Sequence, residues 1–394
     1  MHIQQQSWRP FILVSLALCI GTMGTALSSP LYPIYQQLWQ LLPSDITAIF
    51  IAYMLGCLTA LLFLGRTSNS LGFVRTLQIG LVFAFIGLVA SAWAQHQYLL
   101  EFGRFMIGIA SGLISTAAML GLIYTIPDRH KAFAPQLSSI ITVIGFGLGP
   151  LIGGSIAQFS SQPLVIPYLP IIIAAVLSFF SLFSLKGIHF EKQTFSIAPH
   201  LQLPVKSQQT SFYLISFTAF SAFASFSLFA SLAPSFIQEI IPWHGPLVSG
   251  ATITSILTVS VLVQIFAKKI NMNLCLNLGQ LMLSLSSLLL MLCMWMQWSN
   301  LFFLSVLCVG MGHGLSLMAA FALIHRMTEA ENRAAVVATY LFIAYWGTIF
   351  PIIAVGYLSD HWGLSTGVIS FCVLMGSLSL MLLIRHRKLL PQPI

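Results

Sequence analysis

Three residues set in apolar sequence carry groups suited to proton or charge chemistry: Glu101, Arg104 and His313. Arg104 is the only Lys or Arg away from the ends of an apolar segment, and a cation near the bilayer centre costs on the order of 3 kcal/mol by insertion scales. That cost calls for a partner. Glu101, three residues earlier on the same helical face, offers a local ion pair in which the carboxylate could take up and release a proton. It reads equally as a solvated carboxylate near the membrane surface. His313, in the run GMGHGL, titrates in a useful range and suits an intramembrane proton relay or substrate contact; neutral, it would link helices by a hydrogen bond. Gly108 and Gly112 continue the face of Arg104 at four-residue intervals. Gly145, Gly149 and Gly153 form a second such series, with Pro150 and Gly154 beside them. Glycines one turn apart clear a stripe for a neighbouring helix, and a proline within a helix permits a bend. No P-loop Gly-Lys-Ser/Thr and no HExxH is present. The six cysteines lie in apolar segments without zinc spacing. The expectation is therefore no enzyme, no ATP site and neither a metal nor an organic cofactor.

The elements that hold these residues follow from composition. Of 394 residues, 58% are hydrophobic and 6% charged, against about 25% charged in a soluble domain. Apolar runs of the roughly 20 residues needed to cross a bilayer recur from end to end. They predict an all-α polytopic membrane protein with twelve transmembrane helices, at residues 10–35, 45–65, 76–94, 99–125, 135–158, 166–186, 211–238, 246–267, 272–296, 301–324, 335–358 and 364–384. Pro33 and Pro234 predict bends in the first and seventh. The first segment reads as a retained helix, not a cleaved signal.

The net charge, 16 − 8 = +8, would suggest nucleic acid on a soluble protein. Here every Lys and Arg other than Arg104, from Arg9 to Lys388, falls in alternate loops on one side, while Asp45, Glu239 and Asp360 lie on the other. The positive-inside bias then predicts both termini in the cytoplasm and no nucleic-acid partner. Loops this short offer no dock for an obligate protein partner, and with no Asn-x-Ser/Thr sequon they suit a bacterial inner membrane.

A polar, proline-broken stretch with Glu191, Lys192, Pro199, His200, Pro204 and Lys206 cannot span a bilayer. It predicts an N-terminal six-helix bundle (1–186), a cytoplasmic linker (187–210) and a C-terminal six-helix bundle (211–394). The halves repeat. Pro33 and Pro234, Gln37 and Gln238, and Pro150 and Pro351 are each 201 apart, while Gly108 and Gly310, and Gly112 and Gly314, are 202 apart. His313 then corresponds to Ser111. Two pseudo-symmetric six-helix bundles form a transporter architecture, with the ligand held at midplane between them and alternating access by rocking. Tyr32, Tyr35, Phe236, Gln238 and Trp346 are candidates to line a substrate cavity, though each alone also reads as packing or a lipid-facing residue.

The R-x-x-x-G-x-x-x-G pattern of GRFMIGIASGL and the run GFGLGPLIGG at 145–154 resemble the major facilitator superfamily, and within it the drug:proton antiporter-like twelve-helix exporters. The resemblance implies a role in antiport and conformational switching for Gly145, Gly149, Pro150, Gly153 and Gly154. It also implies that Arg104 takes part in proton coupling or holds the cavity together. Two departures stand out. Family members often use a first-helix acid for coupling, and this first helix has none, which leaves Glu101 as the embedded carboxylate. The loop GRTSNSLGFVR retains Gly65, Gly72 and the basic Arg66 and Arg75 of the superfamily pattern, but Asn69 holds the acidic position. A weakened cytoplasmic gate follows. Gly356, Asp360 and Gly363 look like the same motif on the opposite face, where they predict a turn and a surface cap. The expected activity is proton-coupled efflux of small amphipathic compounds, drugs or a secreted metabolite, with a proton-coupled nutrient importer as the alternative. The scarcity of polar residues suggests a largely apolar ligand.

Overall fold

In hydrocarbon every backbone N–H and C=O must find its partner within the protein, and a helix does this within one segment. The computed structural model describes residues 7–185, 198–199, 201–329 and 332–389. Half of the expected linker therefore lies outside the described residues, at 187–197 and 200, as do the side chains of Glu239, Arg387 and Lys388. Among the described residues, twelve helices are long and apolar enough to cross a membrane: Arg9–Trp39, Pro43–Leu64, Phe73–Ala92, Gln97–Thr125, Leu137–Phe159, Ile166–Leu185, Lys206–Ser231, Pro246–Lys269, Met272–Met296, Ser299–Met327, Arg333–Trp362 and Leu364–His386. They are called the first to twelfth spans below.

Prolines decide where these spans break. The first is helical over Arg9–Ala26 and again over Tyr32–Trp39, with a 3-10 turn, Ser29–Leu31, between. Pro30 has no N–H to give the Ala26 carbonyl, so the regular ladder stops there. The expected bend at Pro33 thus lies just before it, and Pro33 is the second residue of the second segment. In the seventh span the helix Gln209–Ser231 gives way to Ala233–Ile240 in the same manner at Pro234. Pro150 and Pro351, in contrast, lie inside continuous helices. Between spans, Gly72, Gly245 and Gly363 adopt φ of +93°, +124° and +85°, values that favour glycine, and each stands immediately before a helix. The run Gly363–Gly367 has the letters of a nucleophile elbow. It joins two helices where that motif joins a strand to a helix, so the chemistry does not carry over.

The chain forms two compact units, Met1–Ile34 with Ala52–Pro199, and Tyr35–Ile51 with His200–Ile394. In the first unit the first span packs on the fourth, fifth and sixth, and the third on the fourth and sixth. Phe11, Val14, Leu18, Phe73, Leu77, Ile114 and Leu122 form its core. In the second unit the seventh packs on the tenth, eleventh and twelfth, and the ninth on the tenth and twelfth. Phe212, Ile215, Leu276, Ala319, Ile324 and Tyr340 form that core. Each unit therefore has the same pairing plan, displaced by six helices.

The glycine repeats fill equivalent places in that plan. A Cβ on Gly108 would meet the Tyr53 carbonyl and Cys57 of the second span; one on Gly310 would meet the Ile256 carbonyl and Val259 of the eighth. Gly112 faces Ala60, and Gly314 faces the Ser260 carbonyl. A further pair, 202 apart, joins them: Gly145 lies on the Cys19 carbonyl and Gly347 on that of Phe220.

Candidate functional site

Arg104 has 0% relative exposure. Its Nη1 donates to the Thr25 carbonyl, and its guanidinium lies over the Tyr53 ring at 5.1 Å from the centroid. Thr25 is next to the end of the first helical segment, where carbonyls carry the negative end of the helix dipole, so the arginine caps a helix that proline has cut short. The cation–π contact adds about 0.5–2 kcal/mol. Around them stand Tyr32, whose hydroxyl adjoins Ser29 and Arg104, and Cys57, which adjoins Tyr53, Ser111 and Arg104.

The anticipated Glu101–Arg104 ion pair does not form. Glu101 is half-buried and accepts from Gln97 Nε2 at 2.8 Å. Arg104 turns inward to the first span, while Glu101, a turn nearer the helix start, keeps contact with the surface.

In the fifth span the glycine stripe meets backbone. A Cβ at Gly149 would strike the Met23 carbonyl, one at Gly145 would strike the Thr22 hydroxyl and lie 2.7 Å from the Cys19 carbonyl, and one at Gly153 would lie 2.6 Å from that of Leu27. Pro150 and Gly154 are buried beside them. The stripe follows the first span down to its break, and Tyr168 of the sixth span donates to Ser28 Oγ at 3.0 Å within that break.

His313, with 7% exposure, sits on the tenth span with Nδ1 3.0 Å from Ser260 Oγ of the eighth. Phe223 and Phe226 of the seventh span close on the ring, at centroid distances of 6.0 and 5.4 Å. Its counterpart Ser111 lies 3.4 Å from the Tyr53 hydroxyl. Both equivalents thus reach from one span to the corresponding neighbour in their own unit. Gln280, which the sequence reading did not single out, is fully buried in the ninth span. It accepts from Ser221 at 3.0 Å and donates to Ser316 at 3.2 Å, and its place as the deepest of three amides in the span, after Asn273 and Asn277, is the signal that could have marked it.

The other expected residues separate. Tyr32 belongs beside Arg104. Tyr35 is fully buried and tilts on Trp39 at 4.9 Å, and Phe236 is buried edge-on to Phe302 at 6.3 Å. Trp346 stacks on the exposed Phe350 at 4.4 Å, and Gln238 is half-buried. In the loop after the second span, Gly65 follows a π-helical turn, Ala60–Leu64, and Asn69 lies inside a short helix, Thr67–Leu71. Asn69 therefore caps neither this helix nor the third span, whose cap position is Gly72, and Arg75 is exposed. Asp360 does act as a cap: it accepts from the Ser44 N–H at 3.0 Å, in the first turn of the second span.

Twelve apolar helices with a duplicated packing plan define a membrane transporter fold. The family model of the Major Facilitator Superfamily matches residues 14–351, and the chain belongs to that superfamily. It is 26% identical over 205 residues to Multidrug resistance protein 2 of Bacillus subtilis (strain 168), covering 51% of this chain and 48% of that one. It is 31% identical over 149 residues to the Multidrug efflux protein YfmO of the same organism, 37% of each. With the Synaptic vesicular amine transporter of Rattus norvegicus it shares 27% identity over 173 residues, 41% of this chain and 33% of that one. The matches thus span between a third and about half of these relatives' own lengths. The crystal structure of a D-xylose-proton symporter shares the fold, with a TM-score of 0.71 at 16% identity over 98% of both chains. So does a bacterial homolog to the human lysosomal transporter Spinster, at 0.72 and 13% identity over 98% of both.

Proposed function

We propose that this transporter exports small amphipathic compounds in exchange for protons, from an inner membrane in which both termini are cytoplasmic. The observation that carries the reading is the fifth-span stripe, Gly145, Gly149 and Gly153, lying directly on carbonyls of the first span. A seam with so little side chain between two backbones can shift in discrete steps, and Pro150, which leaves one helix bond unmade, gives the fifth span a place to flex. The names of two relatives, a multidrug resistance protein and a multidrug efflux protein, support the direction. The loop charges support the orientation.

His313 is the proposed proton carrier, since it is buried, hydrogen-bonded at one ring nitrogen and bordered by aromatic rings suited to an apolar ligand. Glu101, turned toward Gln97, is left outside the coupling path. The test is proton movement in inside-out vesicles with an acidified lumen, to which amphipathic compounds are added. Wild type and Glu101→Gln release protons on addition, and His313→Ala does so at least about tenfold more slowly. Wild-type release by His313→Ala across the pH range removes His313 from the path. If the inserted wild type releases none with any compound, export of this class is refuted.

A further inference from the structure

Arg104 uses only part of its guanidinium. Nη1 serves the Thr25 carbonyl and the flat face lies on Tyr53. Nε and Nη2 are buried and have no hydrogen-bond partner. Those two atoms form the edge whose N–H bonds run parallel, the arrangement that grips both oxygens of one carboxylate.

Among the described residues, no acid of the first six spans reaches that edge. The first, third, fifth and sixth spans contain no Asp or Glu. In the fourth, Glu101 turns to Gln97. The second has only Asp45, at its start, which accepts from the Leu42 N–H at 2.9 Å. Two hydroxyls stand by instead: Tyr32 Oη, next to Arg104, and Ser29 Oγ, next to Tyr32. Both are buried, and neither makes a hydrogen bond of good geometry. Four such atoms in one place are unusual, because nearly all buried polar groups in proteins are paired. They also coincide with the break in the first span, and irregular backbone within the membrane belongs where ligands bind.

We infer that this edge receives the carboxylate of the transported compound, whose two oxygens take Nε–H and Nη2–H while Tyr32 donates a third hydrogen bond. The inference rests on the export reading above and refines its substrate class to amphipathic monocarboxylates. The charge count sets the limit of one: Arg104 is the only Lys or Arg deep within a span, so a dianion would bury a negative charge with nothing opposite. A neutral ligand would leave the guanidinium edge unpaired in a low-dielectric site, which favours the acid over its amide.

The test measures binding to the purified full-length protein with matched probes: 4-phenylbutyrate against 4-phenylbutyramide, and octanoate against octanamide. Each acid is expected to bind at least about tenfold more tightly than its amide. Arg104→Lys, which keeps the charge and loses the fork, is expected to reduce that ratio at least about threefold; Tyr32→Phe is expected to reduce it about threefold. Equal affinity for acid and amide in wild type overturns the inference without reference to any variant, and so does a ratio undiminished in Arg104→Lys. Sodium nitrate is the arm for a planar inorganic anion. If it binds as tightly as the acids and displaces them, the edge holds a bulk anion and the substrate assignment falls. The vesicle assay separates this failure from that of export. Amides that release protons where acids do not would sink the carboxylate site and leave export standing. Acids that bind selectively while no compound releases protons would keep the site and refute export.

Discussion

Replacing Gly153 by alanine is expected to push the fifth span off the first. The new Cβ would lie 2.6 Å from the Leu27 carbonyl oxygen and 3.2 Å from Leu27 Cγ. An ordinary carbon–oxygen contact is about 3.3 Å, so the seam must open by roughly 0.7 Å, and gaps of that size forfeit a quarter to a half of the dispersion between facing atoms. Overpacking of this kind costs about 1–3 kcal/mol. Each kcal/mol lowers Tm by at most about 2–4 °C in a chain of this size, so the expected loss is a few degrees in a thermal unfolding scan of the purified protein. Substrate-driven proton release should fall by a larger factor than stability, because a seam that must move is held apart. The obstacle is main chain, so Gly153→Ala with Leu27→Ala should be no more stable than Gly153→Ala alone. An unchanged Tm with full transport, or rescue by Leu27→Ala, would refute close backbone approach as the purpose of this glycine.

Two further substitutions probe the second unit. Gln280→Leu removes hydrogen bonds to Ser221 and Ser316 from a fully buried position; at about 0.6 kcal/mol for an average interhelical bond in a membrane, a loss of about 1–2 kcal/mol is expected in thermal unfolding, with Gln280→Glu no better. Asp360→Ala deprives the Ser44 N–H, at the positive end of the second span, of its anionic acceptor, a cost of about 0.5–1.5 kcal/mol. Asp360→Asn keeps an acceptor oxygen and should cost less than half as much, and equal losses for the two would show that the cap is not what Asp360 supplies.

The spans were legible because a bilayer imposes length and apolarity on any segment that crosses it. Their ends were not, since helical hydrogen bonding continues past the last apolar residue. The eleventh span was expected over 335–358 and runs Arg333–Trp362. Repeats of glycine were legible too, and the structure shows why. Gly108, Gly310 and Gly314 each lie where one backbone rests on another, Gly112 lies against the Ala60 methyl, and no other residue leaves that space. The pair Gly145 and Gly347 performs the same duty but escaped notice, because an offset of 202 there falls beside the more obvious Pro150–Pro351 match at 201.

Partners across helices were the part that spacing could not supply. A rule for residues three or four apart pairs Arg104 with Glu101, yet that rule describes a helix in water, where both side chains lie along an accessible surface. In a packed bundle, one turn along the helix changes what a side chain meets. Arg104 faces a first span that Pro30 has interrupted, and the interruption offers a carbonyl, Thr25, where a continuous helix would have bonded it. The proline and the arginine are 74 positions apart, so neither predicts the other from sequence. Together they explain how a cation is held in this fold with no acid from the first span. If that reasoning holds, restoring an acid should remove the need for a ligand: Ser29→Asp, beside Tyr32, is expected to pair with Arg104, raise the resting stability and abolish the preference for 4-phenylbutyrate over its amide. An acid preference undiminished in a folded Ser29→Asp protein would mean that the carboxylate is recognised elsewhere.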